Sequence, residues 1–149
     1  MNIAYFLIPK NSVAYLYDDC TFRQGLEKMR HHGYTAIPVI SKSGKYIGTV
    51  SEGDFLWNML SAVDEANPSF SLKDLEKLKV RDILKPARPP VRIVVSMEEL
   101  LSSAMTQNFV PVVDDLDNFI GIVTRRDIIR YFAEEKEQCQ APALLRKIV

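Results

Sequence analysis

Two short stretches of the sequence share a spacing of residue types that suits a phosphorylated ligand. Both follow the pattern Gly-x-x-Ser/Thr-x-x-Asp, as GTVSEGD in 48–54 and as GIVTRRD in 121–127. Each lies where an apolar strand-like run meets a helix-like run. The start of a helix offers free backbone N–H groups and the positive end of the helix dipole, which suit a phosphate. The hydroxyl adds a hydrogen-bond donor, and the Asp one turn on can accept from two ribose hydroxyls. These residues are Ser51 and Asp54 in the first stretch and Thr124 and Asp127 in the second.

The same spacing also has a purely structural interpretation. Ser/Thr-x-x-Asp is a helix N-capping pattern, which stabilises a helix by about 1 kcal/mol and binds nothing. Spacing alone leaves both interpretations open. They are compatible, since a capping hydroxyl can be shared with a ligand.

The two stretches differ in charge at the start of the helix. The second has Arg125 and Arg126 where the first has Glu52 and Gly53. Cations at a helix N-terminus oppose the helix dipole, so a solvated surface pair would conflict mildly with local preference. A phosphate would remove the conflict, because guanidinium groups bind phosphate in a fork geometry. The second junction is therefore predicted to be the better phosphate site. The difference predicts two unequal sites, or one dinucleotide-type ligand held mainly by the second stretch.

Upstream of each of these two stretches, the residues just before a proline are candidates for contacting a base. Their backbone groups can meet an adenine edge, and two of the side chains offer an aromatic face. The backbone candidates are Thr35, Ala36 and Ile37 in the first copy and Phe109 and Val110 in the second, and the aromatic candidates are Tyr34 and Phe109.

An internal repeat organises the chain. With a shift of 73 residues, AIPVISKSGKYIGTVSEGDFL aligns without a gap on FVPVVDDLDNFIGIVTRRDII, so that Pro38 falls on Pro111 and Gly48 on Gly121. A regular duplication of this kind indicates two copies of one structural unit. Capping-box patterns at Thr21 and at Ser96 each begin an amphipathic helix upstream of these stretches.

The pattern predicts an α/β fold built from two strand–helix–strand–strand–helix repeats. Short apolar runs at 13–17 and 91–95 precede the capped helices, and the proline-ended runs 5–10 and 82–86 precede those. A three-stranded sheet cannot bury both faces alone, so we expect the repeats to pack through their sheets in a pseudo-twofold pair. The predicted boundaries are 1–60 for the first repeat, 61–79 for a linker with a short helix starting near Ser71, 80–135 for the second repeat and 136–149 for a tail. The tail is either a docking segment or a frayed end.

Composition excludes several classes of protein. The chain is 47% hydrophobic and 26% charged, and its 19 basic and 19 acidic residues cancel, which argues against nucleic-acid binding. No apolar run approaches the roughly 18 residues of a membrane helix, so no membrane partner is expected. Cys20 and Cys139 have no C-x-x-C spacing, and His31 and His32 lack further ligands, so neither a disulfide framework nor a metal site is predicted. No nucleophile or Walker motif is present either, so we expect a cytoplasmic protein without enzymatic activity.

The repeated stretches resemble the tandem cystathionine-beta-synthase-type (CBS) domain pair, or Bateman module. The resemblance rests on GYTAIPVI…GKYIGTVSEGDFL and NFVPVV…NFIGIVTRRDII and covers about residues 3–135. It implies a pseudo-twofold pair of repeats, usually dimerised into a flat disc, with adenosine-containing ligands in the clefts between repeats. Packing in the core or in a homodimer is then the favoured role for Trp57. Any target protein would be regulated in trans.

A finer resemblance is to stand-alone bacterial CBS pairs that bind cyclic di-AMP, through the TRR junction, GYTAIPV and VAYL. It adds Val13 and Ala14 to the candidate nucleotide-binding residues. We therefore expect a regulatory module that senses an adenine nucleotide, either cyclic di-AMP or else AMP, ADP or ATP, with no catalytic cofactor. The alternative is a ligand-free scaffold for protein interaction or dimerisation. The full candidate set is Val13, Ala14, Tyr34, Thr35, Ala36, Ile37, Ser51, Asp54, Phe109, Val110, Thr124, Arg125, Arg126 and Asp127.

Overall fold

Two β-sheets, each built mainly from one half of the chain, organise the fold. The computed structural model describes residues 2–64, 73–84 and 89–135. The strands are β1 (Ile8–Pro9), β2 (Leu16–Tyr17), β3 (Ala36–Ile40), β4 (Tyr46–Ser51), β5 (Val91–Arg92), β6 (Phe109–Val113) and β7 (Phe119–Thr124). The helices are α1 (Phe22–His32), α2 (Glu52–Asp64), α3 (Val80–Ile83), α4 (Met97–Ala104) and α5 (125–135). Short 3₁₀ turns cover Ile3–Tyr5, Lys10–Ser12 and Asp74–Glu76.

The two sheets have equivalent connectivity, which confirms the predicted repeat. In the first sheet, β2 runs parallel to β3 and β3 antiparallel to β4; in the second, β5, β6 and β7 are related in the same way. The registers also match, since Pro38 lies opposite Thr49 and the equivalent Pro111 lies opposite Ile122. The predicted α/β fold of two strand–helix–strand–strand–helix repeats is confirmed.

The helices upstream of the two hairpins begin alike and end differently. In α1, the Thr21 hydroxyl accepts from the Gln24 backbone N–H at 3.1 Å, and the Gln24 side chain accepts from the Thr21 N–H at 3.0 Å. In α4, the Ser96 hydroxyl accepts from the Glu99 N–H at 3.2 Å. The first helix ends at Gly33, whose φ of 68° is left-handed. The second ends at Met105 in the right-handed region.

Each repeat completes its core with a segment that precedes the other repeat in sequence. Ile3 and Phe6 are buried with α4, β6 and β7 in the second core, whereas Val80 and Ile83 of α3 are buried with α1, β3 and β4 in the first. The run 5–10 contributes β1, which pairs with β7. The equivalent run in the second half instead begins with the last two residues of α3. The first residue of α3 connects it to the segment before α1, since Val80 N–H donates to the Cys20 carbonyl at 2.9 Å.

The hairpin turns join the two sheets around the pseudo-twofold axis. Tyr46 N–H donates to the Asp117 carbonyl at 3.2 Å, and Phe119 N–H donates to the Gly44 carbonyl at 2.9 Å. These two hydrogen bonds exchange under the 73-residue shift, as do the rings of Tyr46 and Phe119, which stack with centroids 6.2 Å apart. The sheets therefore meet with the symmetry that the repeat predicts.

Some sequence expectations fall outside the described ranges. The linker helix expected near Ser71 lies partly in residues 65–72, and Asp74–Glu76 form a 3₁₀ turn. The tail from residue 136 also lies outside. Among the described residues, no helix combines the length and the apolar character needed to cross a bilayer.

Candidate functional site

A cleft of about 550 Å³ opens between the two repeats, beside the start of α5. Its walls come from three parts of the chain: the N-terminal segment, the turn before β3, and the β6–β7 hairpin with the first turn of α5. The lining residues are Ile8, Ser12, Val13, Ala14, Gly33, Tyr34, Thr35, Ala36, Pro38, Asn108, Phe109, Ile122, Thr124 and Arg126.

The structure gathers most of the candidate nucleotide-binding residues in this cleft and leaves six outside its lining. Those inside are Val13, Ala14, Tyr34, Thr35, Ala36, Phe109, Thr124 and Arg126. Ile37 and Val110 are fully buried, each in the core of its own repeat. Ser51 and Asp54 lie at the start of α2, while Arg125 and Asp127 lie at the start of α5 and face other neighbours.

The first junction forms a complete helix cap. Ser51 N–H donates to Asp54 Oδ2 at 2.9 Å, and Asp54 N–H donates to Ser51 Oγ at 3.3 Å. The Asp54 carboxylate thus hydrogen-bonds the backbone at the start of its own helix. At this junction, the motif therefore acts as a helix N-cap.

The second junction forms only half of that cap. Asp127 N–H donates to Thr124 Oγ1 at 3.2 Å, so the hydroxyl caps α5 while it also lines the cleft. Arg126 is exposed at the cleft wall. A hydroxyl, a guanidinium and a helix N-terminus therefore converge at one end of the cleft, which suits a phosphate group.

Asp127 faces a different space from Arg126. It lines a separate cavity of about 330 Å³ with Tyr5, Phe6, Leu7, Arg130, Tyr131 and Glu134. Ile8 borders both this cavity and the cleft, because β1 runs between them. The N-terminal segment thus separates the side chains of two adjacent residues of α5.

Arg125 contacts the end of another helix. Its Nε donates to the carbonyl of Ala104, the last residue of α4, at 2.9 Å. Its backbone N–H donates to the carbonyl of Asn108 at 2.9 Å. The two arginines of the TRR junction therefore have different surroundings.

Several cleft residues were not predicted from the sequence. Ile8 lines the cleft because β1 crosses to the second sheet, and no local pattern shows that crossing. Asn108 could have been found, since it is the repeat equivalent of Thr35. The Asn108 and Thr35 carbonyls accept equivalent bonds, from Arg125 N–H and from Glu52 N–H at 3.0 Å respectively.

An aromatic rim borders the cleft. Tyr34 is 38% exposed, and its ring stacks on His32 with centroids 5.4 Å apart. His32 therefore covers one face of the Tyr34 ring, and Tyr34 lines the cleft as a partly exposed aromatic residue. Across the described ranges, no three His, Cys, Asp or Glu side chains are placed to hold a metal ion.

Two pseudo-symmetric α/β repeats that share a cleft define the class of protein to which the structure belongs. The family model for the CBS domain matches residues 7–61 and 80–134. The chain therefore belongs to the CBS domain family, as the sequence resemblance implied.

Curated relatives include whole proteins of similar size and much longer ones. The chain is 28% identical over 140 residues to the uncharacterized protein MJ1426 of Methanocaldococcus jannaschii, in an alignment that covers 76% of this chain and 82% of that protein. It is also 26% identical over 107 residues to L-aspartate semialdehyde sulfurtransferase of the same organism. That alignment covers 70% of this chain but only 18% of that enzyme. The second match concerns only a small part of the longer protein.

Solved structures of the same fold include nucleotide complexes. CbpB of Listeria monocytogenes in complex with c-di-AMP matches with a TM-score of 0.77 and 25% identity, over 91% of this chain and 98% of that one. Another structure of CbpB in complex with c-di-AMP matches with a TM-score of 0.84 and 20% identity, over 95% and 91%. CBSX2 in complex with AMP matches with a TM-score of 0.69 and 24% identity, over 91% and 98%. The latter two, under 25% identical, support the fold alone.

Proposed function

We propose that this protein is a non-catalytic regulatory module that senses an adenine nucleotide, cyclic di-AMP, in the cleft between its repeats. One observation carries the proposal: Arg126 and Thr124 of the second repeat face the same cleft as Tyr34, Thr35 and Ala36 of the first. A ligand with a phosphate at one end and a base at the other would contact both repeats. The c-di-AMP complex of the Listeria CbpB, 25% identical to this chain, supports the choice of nucleotide.

The phosphate end relies on charge and on backbone direction. The first turn of α5 presents N–H groups and the positive end of its dipole, and Arg126 adds a guanidinium that binds phosphate oxygens in pairs. Without a ligand, Arg126 opposes that same dipole. A bound phosphate turns an unfavourable placement into a favourable one.

The base end relies on apolar surface and exposed backbone. Val13, Ala14, Phe109 and Ile122 line the cleft with apolar atoms, and Tyr34 offers a ring face at the rim. The volume of about 550 Å³ lies within the range of roughly 300–1,000 Å³ that small-molecule sites occupy. The cleft is therefore large enough for a nucleotide.

Regulation would act on a separate target protein, through a homodimer. The outer face of α2 exposes Leu56, Trp57 and Leu60, and α5 exposes Ile129, the repeat equivalent of Leu56. Exposed apolar patches of this kind mark interaction surfaces, and we assign this face to a second copy of the chain. If a target protein prefers the ligand-free form, the nucleotide lowers the affinity for the target. The target then lowers the affinity for the nucleotide by the same factor.

A ligand-free scaffold is the second candidate function. The complete Ser51–Asp54 cap favours it, because at that junction the motif residues already satisfy each other. Under this alternative the Thr124 cap would be structural as well, and no nucleotide would change the stability of the protein.

Calorimetry on matched arginine variants tests the proposal. We expect wild-type protein to bind c-di-AMP, and Arg126→Ala to bind it about 10- to 100-fold more weakly, as for a lost hydrogen bond to a charged group. Arg130→Ala is the control, because Arg130 is exposed on the same helix but lies outside the cleft lining. Ligand at about 100 times Kd should also stabilise the fold by roughly 2.7 kcal/mol. If nucleotide-free wild type binds none of c-di-AMP, AMP, ADP and ATP, the proposal is wrong and the ligand-free scaffold is the remaining candidate function.

A further inference from the structure

Arg125 and Arg126 are adjacent, yet their guanidinium groups serve different parts of the molecule. Arg126 lines the cleft, whereas the Nε of Arg125 donates to the Ala104 carbonyl at the end of α4. A cation at a helix C-terminus lies at the negative end of the helix dipole and satisfies a carbonyl without an intrahelical partner. The arginine that is unfavourable at the start of α5 is thus favourable at the end of α4.

The end of α4 is closed by different hydrogen bonds from those that close the end of α1. In α1, left-handed Gly33 lets its own N–H reach the Arg30 carbonyl at 3.3 Å and the Tyr34 N–H reach the Met29 carbonyl at 3.1 Å. In α4, right-handed Met105 follows the last residue, and its N–H donates to the Leu101 carbonyl at 3.1 Å. Thr106 Oγ1 and Gln107 Nε2 both donate to the Ser103 carbonyl, at 3.3 and 3.4 Å. Arg125 adds the bond to the carbonyl of Ala104, the last residue of α4, and this bond comes from outside the segment.

The same residue also holds the far end of the turn that follows α4. Its backbone N–H donates to the Asn108 carbonyl at 2.9 Å, and Asn108 and Phe109 line the cleft. Arg125 therefore holds residues 104 and 108 at once, while its neighbour Arg126 faces the ligand site. In the first repeat, Glu52 keeps the equivalent backbone bond to Thr35 but has no side-chain donor.

We propose that Arg125 is a positioning residue that couples occupancy of the cleft to the last turn of α4 and does not itself contact the ligand. A nucleotide held by Arg126 and Thr124 immobilises the first turn of α5. That turn holds α4 through Arg125, so ligand binding protects the 104–108 turn from local opening. The coupling exists on the side of the second repeat only. The ligand part rests on the proposed function, whereas the link between Arg125 and α4 holds without a ligand.

Hydrogen exchange measured by mass spectrometry tests the link in ligand-free protein. In Arg125→Ala, backbone amides of 104–108 should exchange roughly tenfold faster than in wild type, while α1 stays unchanged. Arg125→Lys should restore part of the protection, because lysine keeps a donor at the helix end. Arg126→Ala is the matched control and should leave these amides as in wild type. Equal exchange in Arg125→Ala and wild type would overturn the link.

The same variants with c-di-AMP test the coupling. Wild type should show slower exchange at 104–108 when the nucleotide is bound, and Arg125→Ala should lose that response while it still binds. Its affinity should keep the salt dependence of wild type, whereas Arg126→Ala should lose part of it, since only Arg126 meets the phosphate. A loss of salt dependence in Arg125→Ala equal to that of Arg126→Ala would show that Arg125 contacts the ligand, and would overturn the proposal.

The two proposals can fail separately. If wild type binds none of the nucleotides, the proposed function fails and the coupling fails with it, while the ligand-free exchange still decides what Arg125 holds. If wild type binds and 104–108 does not respond, the proposed function stands and the coupling is wrong.

Discussion

The carbonyl oxygen of Ile8 occupies the space in which a side chain at Gly121 would begin. A Cβ at position 121 would lie 2.2 Å from that oxygen and 2.9 Å from a methyl carbon of Leu7. β1 approaches β7 this closely because residue 121 is glycine. The relationship matters for function, since β1 brings Ile8 to the cleft and separates Arg126 from Asp127.

Gly121→Ala should displace β1 from the second sheet. We expect a loss of about 1–3 kcal/mol in the free energy of unfolding, as for overpacking in a filled site, together with weaker c-di-AMP binding. Urea unfolding and calorimetry measure the two effects. Gly53→Ala is the control, because its Cβ would meet only the Ser51 hydroxyl at an ordinary 3.6 Å. A variant at 121 as stable as wild type would contradict the packing described for β1.

The exchange of core segments predicts which repeat each mutation loosens. Ile3→Ala and Ile83→Ala each remove a buried side chain and should each cost about 2–5 kcal/mol. Because Ile3 packs in the second core and Ile83 in the first, amide hydrogen exchange should accelerate most in β6 and β7 for Ile3→Ala. For Ile83→Ala, amide hydrogen exchange should accelerate most in β3 and β4. The opposite assignment would mean that each segment packs on its own repeat.

The two capping hydroxyls separate stability from binding. Ser51→Ala and Thr124→Ala should each lower the free energy of unfolding by about 1 kcal/mol, since each removes a helix N-cap. Only Thr124→Ala should also weaken c-di-AMP, because Thr124 lines the cleft and Ser51 does not. Thr124→Ser keeps the hydroxyl and should bind as wild type does. Equal losses of affinity at 51 and 124 would place the ligand elsewhere.

The exposed face of α2 and α5 predicts a dimer that charge can disrupt. The double variant Leu56→Glu with Ile129→Glu should be monomeric, because two carboxylates on each copy would be buried without partners. Light scattering after size exclusion gives the mass. Val94→Glu is the control, at a site that is 80% exposed on the segment before α4. A monomeric wild type, or a double variant that stays dimeric, would exclude this interface.

The phenol of Tyr131 should titrate late. Its hydrogen bond to Glu135 raises its pKa to about 12, because ionisation would place two negative charges side by side. A raised folded-state pKa means that this bond contributes to stability below pH about 10, the usual tyrosine value, and that the contribution is lost as the pH rises toward 12. The pKa values of Tyr15 and Tyr46 are raised as well, so absorbance at alkaline pH should show more than one late phenol, and that of Tyr131 ionises near pH 12. That phenol should titrate earlier in Glu135→Gln, and an unchanged late phenol there would assign it to another residue.

Local patterns predicted the repeat and the helix starts, and together with the family resemblance they predicted eight of the fourteen residues that line the cleft. The gapless repeat and its apolar runs predicted β3, β4, β6 and β7, and capping residues predicted where α1 and α4 begin, since caps depend on neighbours a few residues away. Thr124 and Arg126 were predicted from the chemistry of the junction, because a hydroxyl and a guanidinium at a helix start suit a phosphate. Tyr34, Thr35 and Phe109 were predicted from their place just before a proline.

The tertiary structure decided what depends on contacts between distant segments. That Ile3 packs in the second core and Ile83 in the first follows from which apolar surface each repeat leaves uncovered, and the sequence near either residue carries no record of it. The same reason separates the arginines: their identical side chains differ only in what lies opposite, a carbonyl of α4 for Arg125 and the cleft for Arg126. Sequence determined which residues stand at the junction, and packing determined which of them face the cleft.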